Sequence, residues 1–328
     1  MDISSRWQQF KVSVSPTLKE LRFTFSRIKQ SPISVIGLAI LILYILIALL
    51  APVLAPPLPK RDPYMIPQES YIFMPNPPSE DHIFGTTENQ YDLWYGCIWG
   101  TRTAFRIGFM VVVSSLAIGL LIGCVAGYYG GIIDELMMRF TDIIFAFPGL
   151  VLAMAFYMAI PDKVTILQFG EFNWTITVMT LDKVLIALVL VGWPSYTRVI
   201  RGEILRVRTE DYIEAAKAAG CSDFRVLVKH VIPNSIYPIV IMASLDIGAI
   251  VLTAAAMSFL GIGAQKGYAD WGQLISLSRN WIFGNMNNPL AFWHVFLIPG
   301  IFIFTFVLGW NLLGDAFRDM LDPTIRRR

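Results

Sequence analysis

Residues able to do covalent chemistry are few and scattered in this chain. His82, His230 and His294 fall in separate regions, and Cys97, Cys124 and Cys221 show no C-x-x-C spacing. There is no H-E-x-x-H, no G-x-S-x-G and no G-x-x-x-x-G-K-S/T loop to cradle ATP phosphates. The chain therefore reads as a non-enzyme with no metal or cofactor of its own.

The informative stretch is polar, and it lies between two apolar runs: Arg208-Thr-Glu-Asp-Tyr-Ile-Glu-Ala-Ala-Lys-Ala-Ala-Gly220. Thr209 suits an N-cap. Glu210 and Asp211 suit the positive first turn, and Lys217 suits the negative end. Gly220 can take the left-handed conformation that closes a helix. Ser222 then caps a second helix running towards Pro233. The first helix, about Glu210–Ala219, is too polar to cross a membrane. Its alanines make a low-relief face that a partner's groove could accept; the alternative is an ordinary solvated helix. Asp246 is the other conspicuous residue, a carboxylate inside an apolar run. At membrane depth it is costly, so it either lines a solute path or hydrogen-bonds within the bundle. Arg139 and Asp142, three apart, are expected to pair locally.

The elements that must carry these residues follow from composition. Apolar residues make up 55% and charged residues 15%, against about a quarter charged in soluble domains. The excess apolar surface needs a bilayer, and runs of about 20 residues suffice to span one. Six candidates lie at about 33–55, 103–128, 137–160, 184–201, 236–261 and 292–313. The first begins too late and runs too long for a signal peptide. Basic residues dominate before the first span and at Arg326–Arg328, the 202–230 loop is again rich in Arg and Lys, and the 56–100 loop is acidic. Positive loops stay inside, so both termini are placed in the cytoplasm.

Gly119, Gly123, Gly127 and Gly131 recur every four residues, which lets a second helix approach closely. Pro148, Pro194, Pro233, Pro238 and Pro299 lie in or beside spans, where freed backbone groups must find other partners. Lys19–Gln30 reads as a surface helix or a linker. The segment 56–100 reads as a folded outer element or a plain cap, and 161–183 as an outer helix or re-entrant piece. Cys97 falls outside, Cys124 in the membrane and Cys221 on the cytoplasmic side, so no disulfide is expected.

Glu214-Ala215-Ala216, then Gly220, then Ile232-Pro233, resembles the EAA loop of ABC importer permeases. His82-Ile-Phe-Gly-Thr86, Ala126-Gly-Tyr-Tyr-Gly-Gly131, Asp142 with Ala146-Phe-Pro148, and Trp193-Pro194 are similar to the oligopeptide/dipeptide permease C family. So are Ser258-Phe-Leu-Gly-Ile-Gly263, Trp271-Gly272 and Asn311-Leu-Leu-Gly-Asp315 with Leu321-Asp-Pro323. The resemblance implies an all-α integral membrane protein with six transmembrane helices: a type I permease core of five plus one N-terminal peripheral helix. Residues 1–100 would hold the surface helix, first span and extracellular loop; 101–316 the core with its loop at about 208–233; and 317–328 a cytoplasmic tail. It further implies a cell-membrane location and a second permease subunit, making a heterodimer. Two ATP-binding-cassette subunits would hydrolyse the ATP, and an extracellular substrate-binding protein would deliver the solute. Tyr212, Glu214, Ala215, Ala216, Ala219 and Gly220 would then meet the ATPase.

Three positions depart from the family pattern. Gln90-Tyr91-Asp92 stands for the usual Gly-Arg-Asp, Ala254 for a common Glu, and Asp246 for a small residue. They leave di- or oligopeptides as the expected solute, with oligosaccharides or nickel complexes as alternatives. A passive channel is the alternative of a different class. It would not need a separately capped polar helix.

Overall fold

The computed structural model describes residues 31–68, 70, 72–169, 172–284 and 288–321. The expected surface helix at Lys19–Gln30 and the tail 322–328 lie outside the described residues. Helices dominate: α1 (Pro32–Leu54), α2 (Leu93–Tyr129), α3 (Gly131–Phe145), α4 (Gly149–Ala159), α5 (Thr180–Val207), α6 (Asp211–Ala218), α7 (Asp223–Val226), α8 (Ile232–Phe259), α9 (Trp271–Leu277) and α10 (His294–Leu321). Among the described residues, five helices are long and apolar enough to cross a membrane, and six spans result if the bent α3–α4 pair counts as one.

Each element follows from local chemistry. Ser31 accepts a hydrogen bond from the Ser34 backbone, and Pro32 occupies a favourable helix-start position. Near the other end of α1, Pro52 has no N–H, which leaves the Ala48 carbonyl without its usual donor. Arg102 of α2 supplies one from Nε, and its guanidinium lies 4.9 Å from the Trp99 ring centroid. Trp94 and Trp99 donate to the Leu54 and Ala55 carbonyls at 3.0 and 2.9 Å, fixing the end of α1.

The glycine repeat on α2 meets α5. An added Cβ at Gly119 would lie 2.5 Å from the Tyr196 Cβ; at Gly123, 2.9 Å from that of Ile200; at Gly127, 2.9 Å from that of Ile204. Glycine therefore lets the two backbones approach closely along three turns. Gly131 is the exception, with open space around it. Its φ of +60°, after +69° at Gly130, instead turns the chain from α2 into α3.

Three expectations need correction. The third span is not one straight helix over 137–160: α3 and α4 meet at 91° across the break before Gly149, because Pro148 cannot continue the hydrogen-bond ladder. Segment 161–183 is neither helix nor re-entrant piece at its centre. It is an antiparallel strand pair, β1 (Lys163–Phe169) with β2 (Phe172–Thr177), built from β-branched and aromatic residues that favour strands. The helix after Ser222 does not stop at Pro233. It passes through a π-helical turn at Leu227–Val231 into α8, where Pro233 sits in the first turn and needs no donor.

The 56–100 segment folds as a cap against the 261–281 segment. Ile66 N–H donates to Gly267 O at 2.8 Å and Ala269 N–H to Tyr64 O at 2.7 Å, and Tyr64 stacks on Tyr268 at 5.5 Å. Trp271 is buried and donates to the Cys97 carbonyl at 3.0 Å. Its ring meets Tyr44, Phe302 and Phe306, tying α9 to α1 and α10. Gln90 has a φ of +59°, which explains why glycine suits that position. Its amide offsets the strain: Nε2 donates to Met74 O, and Oε1 accepts from Asn76 Nδ2 at 2.8 Å.

Candidate functional site

The polar loop forms α6, set on the bundle chiefly by Ile213. Ile213 is fully buried, in the core cluster that also holds Ile204, Val207, Val226 and Val231. Ala216 is half-buried against the same cluster, while Tyr212 is 44% exposed and Glu214, Ala215 and Ala219 are exposed. Positions 212, 215, 216 and 219 recur at helical spacing, so the tyrosine and three alanines share one face. Among the described residues, no ion pair engages Glu214.

Both ends of α6 are defined by backbone geometry. At the start the N-cap is Glu210, with no side-chain cap bond. Thr209 does not cap α6: its hydroxyl donates backwards to the Arg206 carbonyl at 2.8 Å and serves the end of α5. At the finish Gly220 has φ +82°. Its N–H donates to Lys217 O at 2.9 Å, and the Cys221 N–H reaches Ala216 O at 3.2 Å. This pair of bonds is the Schellman closure, which satisfies carbonyls the helix leaves free. Ser222 stands at the N-cap of α7 but makes no side-chain cap bond.

Arg139 and Asp142 do not pair with each other. Asp142 accepts from Arg198 of α5 at 2.6 Å, and Arg139 lies 3.6 Å from Glu135. Arg201 of α5 binds Asp134 of α3 through both Nε and Nη2. Two ion pairs thus hold α3 along α5. Sequence reasoning saw only the local spacing, because these partners lie 56 and 67 residues apart. It also missed a knot around Tyr128, where Arg208, Lys217 and Asp223 converge.

Asp246 is half-buried on α8, and its carboxylate faces the Tyr196 hydroxyl of α5. Tyr196 is 1% exposed, and among the described residues its hydroxyl finds no hydrogen bond of normal geometry. The polar pair sits where α5 and α8 meet, far along the bundle from α6 in sequence. Ala254, two turns further on, is buried among Ile107, Leu185 and Leu188.

Comparison with known proteins gives this arrangement a context. The family described as "Binding-protein-dependent transport system inner membrane component" matches residues 119–327. The "N-terminal TM domain of oligopeptide transport permease C" matches residues 21–78. The dipeptide transport system permease protein DppC of Alkalihalophilus pseudofirmus is 36% identical over 311 residues, covering 93% of this chain and 90% of that protein. The probable D,D-dipeptide transport system permease protein DdpC of Escherichia coli is 34% identical, covering 93% of each. Among solved structures, an inward-facing MetNI methionine ABC transporter chain superposes with a TM-score of 0.51 at 18% identity. That match covers 70% of this chain and 97% of the other, and is a likeness of fold. With its helices, its exposed loop helix and these relatives together, the chain belongs to the binding-protein-dependent inner membrane components, as a multi-pass permease component of an ABC importer.

Proposed function

We propose that this chain forms half of a translocation path for di- or oligopeptides, paired with a second, similar permease. Two ATP-binding-cassette subunits drive the path and an external binding protein feeds it. The solute class is supported by relatives named as dipeptide and oligopeptide permeases. The single observation that carries the coupling role is α6: a separately closed helix, pinned by Ile213, with Tyr212, Glu214, Ala215 and Ala219 exposed. Tyr212, Glu214, Ala215, Ala216, Ala219 and Gly220 form the surface that meets the ATPase, and that surface faces the cytoplasm with both termini. Residues 1–100, 101–316 and 317–328 then divide as entry segment, core and tail. Asp246 lines the path beside Tyr196.

Replacing Ala216 by Arg adds bulk and charge to the docking face at little cost in helix propensity. ATPase capture by membranes carrying Ala216→Arg should fall together with uptake, while insertion persists. Because ATP is on the cytoplasmic side, capture through α6 also reports which face this loop occupies. Normal capture and normal uptake by the variant would remove α6 from the coupling role.

A further inference from the structure

The end of α2 is gripped by the loop that follows α5, and the grip centres on one side chain. Arg208, at the entrance of the loop, donates from Nη1 to the carbonyls of Gly127 at 2.9 Å and Tyr128 at 3.2 Å. These last-turn carbonyls have no donor within the helix, and they carry its negative end. Lys217, in the last turn of α6, places Nζ 5.3 Å from the Tyr128 ring centroid. Asp223, the first residue after the Schellman turn and Ser222, accepts the Tyr128 hydroxyl at 2.7 Å. Entrance, helix and exit of the loop thus close on a tyrosine that is only 9% exposed.

Nothing in chain connectivity requires this. The loop is covalently joined to α5 and α8, whereas Tyr128 lies 80 residues before Arg208 and 95 before Asp223. The helix that Tyr128 ends is also unusually placed to carry a displacement. It has 37 residues, about 55 Å of continuous helix. The glycine face holds it against α5. Its far end starts inside the cap, where Asp92 accepts from the Tyr95 N–H at 2.7 Å and pairs with His82 Nδ1 at 2.8 Å. One rigid element therefore touches the loop at one end and the cap at the other.

We propose that Tyr128 is the joint through which α6 moves α2, so that α2 carries the loop's displacement to the cap as a rod. The inference rests on the coupling reading of α6. Tyr128 acts as a positioning residue: it meets neither solute nor ATP. Tyr128→Phe keeps the ring, its burial and the Lys217 contact, and removes only the bond to Asp223.

The test uses the whole importer, with both permeases and the ATPases, in proteoliposomes loaded with ATP, with the binding protein and a dipeptide supplied outside. ATPase binding, ATP hydrolysis and peptide taken up per ATP are measured for the unaltered complex, Tyr128→Phe, Asp223→Asn and the double variant. In Tyr128→Phe the ATPase should bind as before while uptake per ATP falls roughly tenfold, on the scale of one charge-assisted hydrogen bond. Asp223→Asn should fall less, since the amide oxygen still accepts. The double variant should be no worse than Tyr128→Phe, as expected for two residues sharing one contact. Unchanged uptake per ATP in Tyr128→Phe overturns the proposal. So does loss of assembly with a normal ratio in what remains, which marks a purely structural tie. Failure of the α6 reading is seen separately, as normal ATPase capture by Ala216→Arg.

Discussion

Gly220 allows the coupling surface to be tested through backbone strain alone. Its φ is +82°, and an added Cβ would meet nothing within 4 Å. A side chain there clashes with no neighbour, so the cost is that of holding an L-residue in the left-handed region, about 1–2 kcal/mol. Asn tolerates that region best, Ala pays the full cost, and a β-branched residue pays most. A chain that escapes the strain must release the Gly220 and Cys221 N–H bonds to Lys217 and Ala216, worth about 1 kcal/mol each. Either route puts Gly220→Val near 2 kcal/mol, which is more than tenfold in the population of a correctly closed α6. ATPase capture and uptake should therefore rank Gly, Asn, Ala, Val in descending order, with the melting temperature of the detergent-purified permease changing little. If Val behaves like Gly, the left-handed closure does not matter for docking. If Asn is as poor as Val, the damage comes from an occupied surface and not from φ.

Two further outcomes follow from Asp246 and Asp270, one half-buried and one buried. Asp246→Asn keeps size and hydrogen bonding while removing charge, so a path-lining Asp246 predicts altered solute preference in an assembled complex; lost assembly with unchanged transport per complex would make it a packing residue. Asp270 caps α9 by accepting from the Gln273 N–H at 2.9 Å, and it is buried. Burial pushes its carboxyl above the usual carboxylate range, against the lowering effect of bonds from Ser258 and Gln273. The folded state then holds the proton more tightly than the unfolded state. Stability from this group is present below the unfolded value of about 4 and is lost as pH rises through the folded value. Asp270→Asn retains a good N-cap. It should raise the melting temperature at pH 7 and flatten its dependence on pH above 4; an unchanged or lower value at pH 7 would contradict this.

Features set by near neighbours could be read from the residues themselves. The spans, the closure of α6 at Gly220 and the close-packing face of Gly119, Gly123 and Gly127 are all of this kind, because helical spacing and the missing Cβ act over one or two turns. The order of the motifs was enough to name the family. Tertiary structure decided what each polar group meets. Asp142 chose Arg198 over Arg139, Thr209 turned back to Arg206, and Arg102 answered a carbonyl freed by Pro52. Asp246 faces Tyr196, and Tyr128 gathers the loop. In a membrane bundle an unpaired polar group is costly, so each takes a partner wherever packing offers one. Apart from that of Thr209, three residues back, those partners lie on other helices, tens of residues away, and spacing along the chain carries no record of them.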